Sequence, residues 1–146
     1  MATARSHEDL IVWQRAHELK LGVYALIRVG PILHDHDLRG QLQRAARSAP
    51  RLIAEGFGRY LPADFSRYLR AANGELKEIF DALGDGVDCG YFTPEQIEPL
   101  RRLSKRASKA ATRLIEYLRT AKPPNEDRPR HRRTPRTRTP PNPENP

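Results

Sequence analysis

The chain has 146 residues, of which only 38% are hydrophobic, and it carries a formal net charge of +8 at pH 7. This length suits one domain with a hydrophobic core, and a single cysteine excludes an intrachain disulfide and fits a reducing compartment. No stretch approaches the ~18 apolar residues of a membrane span, and the first residues lack the apolar region of a signal peptide, so we expect a cytoplasmic protein without membrane contact.

The sequence predicts a first helix from about residue 8 to residue 29, ended by Gly30-Pro31. Its apolar side is wider than one surface helix needs, because two stripes run next to each other. The stripes consist of Leu10, Trp13, His17, Leu21, Tyr24 and Ile27, and of Val12, Ala16, Leu19, Val23 and Leu26. The excess width predicts a subunit interface anchored by Trp13, Leu21 and Tyr24, and the alternative is that these side chains belong to the core of one subunit.

A second helix is predicted over residues 38–57, with Pro50 near its middle. A proline inside a helix costs about 3 kcal/mol, because it removes a backbone donor and clashes with the preceding turn. The residues just before it are small: Ala45, Ala46, Ser48 and Ala49. They indicate a close helix crossing and a kink at Pro50. Gly56 and Gly58 then favour a left-handed cap at the end of the helix.

The second helix also carries a row of arginines. Arg44, Arg47 and Arg51 follow each other at i, i+3 and i+7 and therefore share one face. Arg59 extends the positive charge past the end of the helix. Arginines spaced along one face, without an obvious carboxylate for each, favour contact with a phosphate backbone.

A third helix is predicted over residues 62–88 and contains three glycines that weaken it. Gly74 falls in mid-helix, where close packing against a neighbour is the better explanation. Gly84 and Gly86 indicate a frayed or early end.

The fourth helix has the clearest start. Thr93 is placed as N-cap, Pro94 is the first helical residue, and Gln96 completes a capping box. The helix ends before Pro123, and its outward side carries a second basic row: Arg102, Arg106, Lys109 and Arg113. This row predicts nucleic-acid binding, and the alternative is a solvated face with ion pairs such as Glu98 with Arg102.

Four helices joined by short loops favour an all-α fold, an antiparallel up-down-up-down four-helix bundle over residues 7–121. Residues 122–146 are rich in proline and arginine and contain no large apolar side chain, so we expect a disordered tail. This basic tail either holds RNA or DNA non-specifically or serves as a passive solubilising extension.

Nothing in the sequence indicates an enzyme. Glu55, Glu75 and Glu78 lack a fixed partner for acid–base chemistry, and no phosphate loop or dinucleotide fingerprint is present. The histidines of His34-Asp35-His36 match no strong metal-ligand spacing. We therefore expect no catalytic residue, no metal and no cofactor.

Two segments carry a family resemblance: DLIVWQRAHEL at residues 9–19 and QRAARSAPRLIAEGFGR at residues 43–59. They resemble signatures of the four-helix-bundle proteins encoded by intervening sequences in bacterial 23S ribosomal RNA genes. The likeness extends over about residues 8–119 and departs from the family at Ala49 and at Arg51-Leu52. It implies a cytoplasmic bundle that assembles as a homo-oligomeric ring, typically a pentamer. It also implies kinship with accessory proteins of diversity-generating retroelements, which bind a reverse transcriptase and nucleic acid.

Two hypotheses follow for the function. The first is a non-catalytic, oligomeric bundle that binds RNA or DNA through its basic helix faces and tail. The alternative is a protein-interaction scaffold or accessory subunit for a polymerase or reverse transcriptase, whose basic face serves solubility. The salt dependence of nucleic-acid binding distinguishes them.

Overall fold

The computed structural model describes residues 4–121. Over this range the chain forms four helices and no strand: α1 (Ile11–Leu26), α2 (His36–Phe57), α3 (Pro62–Asp88) and α4 (Pro94–Thr120). Short 3-10 turns at His7–Asp9 and Pro31–His34 precede α1 and α2. The tail predicted for residues 122–146 lies outside the described residues.

The helices form the expected antiparallel bundle. Each helix packs against its neighbours in the chain, and α1 also packs against α4, which closes the ring of contacts. Consequently α1 and α3 occupy diagonal corners of the bundle, as do α2 and α4.

The largest fully buried side chains are Leu19, Val23, Ile32, Leu42, Ile53, Leu69, Leu76, Ile79 and Leu83. The fourth helix contributes smaller residues such as Ala107 and Ala111, which bring it close to the others. In the described range, none of the four helices combines the length and apolarity needed to cross a membrane.

Local hydrogen bonds explain where the helices begin. Thr93 and Gln96 form the predicted capping box, in which each side chain accepts a hydrogen bond from the other residue's N–H, at 3.2 and 2.8 Å. The second helix starts two residues earlier than predicted because the Asp35 carboxylate caps it, accepting from the N–H of Leu38 at 3.0 Å.

The first helix is shorter than predicted at both ends. Leu10 is extended, and the Asp9 carboxylate accepts from the backbone N–H groups of Arg5 and Ser6, which fixes a separate turn before the helix. At the other end, Ile27 leaves the helical conformation, and Arg39 of α2 donates from Nε to the Ile27 carbonyl at 3.0 Å.

The glycines have other roles than the sequence suggested. Gly58 is right-handed at φ −75°, so the predicted left-handed cap is absent there. A positive φ occurs instead at Gly30 and Gly90, both in connections between helices. Gly56 is buried, and a Cβ on it would meet Tyr68 and Phe65. It therefore serves the close approach of α2 and α3.

Three glycines of α3 also differ from expectation. The helix does not end early at Gly84 or Gly86 but continues to Asp88. A Cβ on Gly84 would clash with the Arg101 guanidinium, and one on Gly86 would clash with the Phe92 ring. Gly74, expected to be closely packed, is exposed, and a Cβ on it would meet no atom within 4 Å. Close packing therefore explains the two glycines near the end and not the one in mid-helix.

The second helix runs through Pro50 without interruption. Pro50 is buried together with Ala45, Ala46 and Ala49. The small residues thus lie at the core side of α2, where they permit the close packing on neighbouring helices that offsets the cost of an internal proline.

Candidate nucleic-acid interface

The α2 arginine row, Arg44, Arg47 and Arg51, projects from the solvent side of its helix. All three side chains are exposed, and at about 100° per residue they fall within about 60° of one another. Within residues 4–121, none of the three takes part in an ion pair. Glu55 lies four residues after Arg51 and therefore on the same face, which the sequence interpretation had overlooked. Three arginines and one glutamate leave this face with a net charge of +2, which attracts anions.

Arg59 is held by its surroundings. Its guanidinium donates to the Tyr68 hydroxyl at 2.5 Å and lies 5.0 Å from the centre of the Tyr68 ring. Because it links the α2–α3 connection to α3, Arg59 has a structural role as well as an exposed charge. It lies at the end of the bundle, beyond the α2 arginine row.

The α4 basic row, Arg102, Arg106, Lys109 and Arg113, is exposed along its whole length. Arg102 lies 3.3 Å from Glu98, so the solvated ion pair considered as the alternative is present at this position. Such an exposed pair contributes about 0.3–0.5 kcal/mol and is screened by salt. The remaining three residues of the row have no ion pair among the described residues.

The two basic rows do not form one surface. Since α2 and α4 occupy diagonal corners, their solvent-facing sides point away from each other. A straight nucleic-acid segment can therefore follow the α2 arginine row or the α4 basic row of one subunit, but not both.

The sequence interpretation missed a third basic surface, the α3–α4 groove. A depression of about 480 Å³ lies along α4, lined by Lys105, Ser108, Lys109, Thr112, Arg113 and Glu116. A second, of about 240 Å³, adjoins it and is lined by Lys77, Phe80, Ser104, Lys105 and Ser108. Basic residues recurring every fourth position from Arg101 to Arg113 were the available signal in the sequence. Helix α3 supplies a wall only to the smaller depression, through Lys77 and Phe80, and this becomes visible only once the helices are packed.

The three residues predicted for a subunit interface differ in their exposure. Trp13 is half-buried and stacks on His17, with ring centres 4.6 Å apart and planes at 10°. Tyr24 is also half-buried against the core. Leu21 is 52% exposed, so it is the most exposed of the three. His17 Nδ1 is buried without a hydrogen-bond partner within the described range.

Two of the residues weighed for chemistry, Glu75 and Asp35, have a shifted pKa. Burial raises the pKa of the Glu75 carboxyl, and the negative charge of Glu78 adds to this effect. Asp35 is occupied by the Leu38 N–H and by the Tyr91 hydroxyl, which donates to it at 2.9 Å. In the described part of the chain, no three His, Cys, Asp or Glu side chains are grouped as a metal ion would require.

Comparisons with known proteins agree with the bundle. A family model described as 23S rRNA-intervening sequence protein matches residues 8–113. Among solved structures, the chain is similar to a protein of unknown function from the S23 ribosomal protein family of Bacteroides thetaiotaomicron VPI-5482, with a TM-score of 0.64. The two are 22% identical over 73% of this chain and 99% of that one, so this likeness supports the fold alone. Comparison with curated proteins found no match.

Proposed function

The chain belongs to the family of 23S rRNA-intervening sequence proteins, and we propose that it is a non-catalytic, cytoplasmic, oligomeric bundle that binds the phosphate backbone of RNA or DNA. The observation that carries this proposal is the α2 arginine row, with three exposed guanidinium groups and no ion pair among the described residues. Solvated arginines in a row are well suited to phosphate, because each guanidinium stays charged and can donate two parallel hydrogen bonds.

Oligomerisation would strengthen such binding. One row supplies only a few charges, and phosphate contacts of this kind are individually weak and sensitive to salt. A ring of subunits, which we expect to contain five copies, repeats the row around its circumference. Several modest contacts to one nucleic acid then combine by avidity without any new contact type.

The test is a salt titration of the full chain with fluorescently labelled RNA and DNA of equal length. If about four phosphates are neutralised, the logarithm of the binding constant falls with the logarithm of salt with a slope near −4. The triple variant Arg44→Gln, Arg47→Gln, Arg51→Gln should lower the magnitude of this slope by about 2 to 3.

The matched control removes the same charge elsewhere, with Arg15→Gln, Arg28→Gln and Arg67→Gln, and should leave most of the slope in place. Absence of binding by the wild-type chain at low salt would overturn the proposal. Equal slopes for the triple variant and the control would show that only general positive charge matters.

A second candidate function, a scaffold or accessory subunit for a polymerase or reverse transcriptase, draws support from exposed apolar side chains on α1. Ile11 is 63% exposed and Leu21 is 52% exposed. A protein partner that packs along α1 would cover both side chains. In that case the wild-type chain would retain its protein partner in pull-downs at salt concentrations that abolish nucleic-acid binding.

A further inference from the structure

We propose that the α3–α4 groove is a binding site for single-stranded nucleic acid, with the backbone along its basic rim and a base stacked on Arg101. The inference rests on the proposed nucleic-acid function and goes beyond it. It names a groove that shares only Lys109 and Arg113 with the α4 basic row, and it names the form of the strand. The groove is the part of the surface described by the two adjoining depressions, which share Lys105 and Ser108.

The rim of the groove carries regularly spaced positive charge. Lys105, Lys109 and Arg113 recur every four residues, which places them about 6 Å apart along α4. Regularly spaced positive charge of this kind suits the repeating phosphates of a backbone. None of the three forms an ion pair within residues 4–121. The α4 side of the groove can therefore meet several phosphates of a single backbone.

The α3 side contributes a cation and polar groups. Lys77 lies on this wall, where its only ion pair among the described residues is an exposed one of 3.6 Å to Asp81. The Ser108 hydroxyl donates to the Asn73 side-chain oxygen at 3.0 Å, which joins the two walls across the floor. The lining thus combines lysines and an arginine with serine hydroxyls, one aromatic ring at Phe80 and one carboxylate at Glu116. Cations and hydroxyls next to an aromatic ring suit a strand with both phosphates and bases.

Arg101 lies next to the groove and not in its lining: it is one turn before Lys105 on α4 and packs on Phe80, which lines the smaller depression. It is fixed in place by three separate features. Its Nε donates to the Phe80 carbonyl at 3.1 Å, and its guanidinium lies 4.2 Å from the centre of the Phe80 ring. The missing side chain of Gly84 leaves the space that this guanidinium occupies. Arg101 is thus held against an aromatic ring before any ligand binds, so less side-chain entropy is lost on binding. The planar guanidinium is a platform on which an unpaired base can stack.

The shape of the groove favours a single strand over a duplex. Packed helices have axes about 8–10 Å apart, so the channel between them is narrow and shallow. A duplex keeps its bases inside and would touch only the rim, whereas a single strand can place its backbone on the lysines and a base on Arg101. A positive groove combined with a stacking platform is the arrangement used by proteins that bind single strands without sequence preference.

The first test compares strand forms and removes groove charge. The full chain is titrated by fluorescence anisotropy with labelled oligo(U), oligo(dT) and a duplex of the same length, over a range of salt. We expect tighter binding to the single strands. The variant Lys77→Gln, Lys105→Gln should reduce the single-strand salt slope by about 1.4, while the control Arg15→Gln, Arg28→Gln should not.

The second test separates stacking from charge. Arg101→Lys keeps the charge and loses the plane, so the salt slope should stay unchanged while single-strand affinity falls about fivefold, the lower end of the loss for one stacked base. Gly84→Ala leaves Arg101 in the sequence but displaces its guanidinium, and it should lower the affinity in the same way. Circular dichroism and the thermal midpoint of each variant identify any loss caused by unfolding.

The outcomes distinguish the inference from the function on which it rests. If the wild-type chain binds no nucleic acid at low salt, the proposed function fails and the inference fails with it. If the wild-type chain binds but prefers duplex, or binds equally well after Lys77→Gln, Lys105→Gln and after Arg101→Lys, the proposed function stands and the groove is not the single-strand site.

Discussion

At the scale of single residues, one hydrogen bond joins two connections at the same end of the bundle. The Tyr91 hydroxyl, in the turn between α3 and α4, donates to the Asp35 carboxylate, which also caps α2. The Leu38 N–H and then the Tyr91 hydroxyl hold the pKa of the Asp35 carboxyl below its ordinary value of 3.8. In return, the Asp35 acceptor raises the pKa of the Tyr91 hydroxyl above 10.0. The histidines beside Asp35 are exposed, and the Asp35 carboxylate accepts from the Leu38 N–H and the Tyr91 hydroxyl.

Because of this hydrogen bond, the free energy of unfolding depends on pH in both the acid and the alkaline range. Because the Asp35 pKa is lowered in the folded state, its contribution is fully present above pH 3.8 and is lost as pH falls through the folded value. Because the Tyr91 pKa is raised, its contribution is present below pH 10.0 and is lost as pH rises through the folded value. We expect Tyr91→Phe to remove the alkaline dependence and to reduce the acid one, because the Leu38 N–H still lowers the Asp35 pKa. We expect Asp35→Asn to remove the acid dependence and to reduce the alkaline one, because burial still raises the Tyr91 pKa.

Urea unfolding of the wild-type chain, Tyr91→Phe and Asp35→Asn at a series of pH values measures how the free energy of unfolding depends on pH. Cys89 is a further cause of the raised Tyr91 pKa, so a Cys89→Ser background serves as the control. Identical acid limbs for the wild-type chain and Asp35→Asn would show that this carboxylate is not a source of the pH dependence.

At the scale of helices, the sequence predicted well those features that depend only on residues close together in the chain. The capping box at Thr93 and the limits of α3 agree with the structure, because caps and periodicity are local. The glycines were predicted poorly, because their role depends on which side chain lies opposite. Phe92 opposite Gly86 and Arg101 opposite Gly84 come from other segments of the chain. No pattern in α3 alone shows these contacts.

The glycines at the end of α2 offer a matched pair of substitutions. A Cβ at Gly56 would lie 2.6 Å from Tyr68 Cβ and 2.8 Å from the Phe65 ring, so Gly56→Ala must push α2 and α3 apart. We expect a loss of about 1–3 kcal/mol in the free energy of unfolding, the usual range for an overpacked core. At Gly58 the nearest atom would be a carbonyl oxygen at 3.5 Å, and φ is −75°.

Gly58→Ala is therefore the control, and we expect it to be neutral or to stabilise by up to about 1 kcal/mol through the unfolded state. Urea unfolding of both variants gives the two values. Equal effects of the two substitutions would contradict the close approach of the helices at Gly56.

At the scale of the whole molecule, the sequence predicted each basic row but not how the rows are arranged. Helical spacing shows which residues share a face of their own helix, and all eight residues of the predicted site are exposed. It carries no information on which helices are diagonal, and the bundle places the α2 arginine row and the α4 basic row on opposed corners. The α3–α4 groove needs two helices and was missed for the same reason. Separate basic surfaces on one subunit favour a nucleic acid that passes over several subunits rather than one that covers a single subunit.

The oligomer itself is tested most directly at Leu21. This side chain is 52% exposed on α1, between the half-buried Trp13 and Tyr24, so in a single subunit a glutamate there would remain solvated. In an apolar subunit interface the same carboxylate would lose its hydration without a partner, which costs several kcal/mol and opposes assembly. We expect light scattering to give the mass of about five subunits for the wild-type chain, and close to 16.7 kDa for Leu21→Glu.

Val29→Glu is the matched control, because Val29 is 66% exposed but lies beyond the end of α1, and it should leave the assembly intact. A wild-type chain that is already monomeric would refute the ring. An assembly that survives Leu21→Glu but not Val29→Glu would place the interface at the α1–α2 connection. If Leu21→Glu yields a folded monomer, its nucleic-acid affinity should fall although every basic residue is retained, because repeated rows bind through avidity and a single row does not.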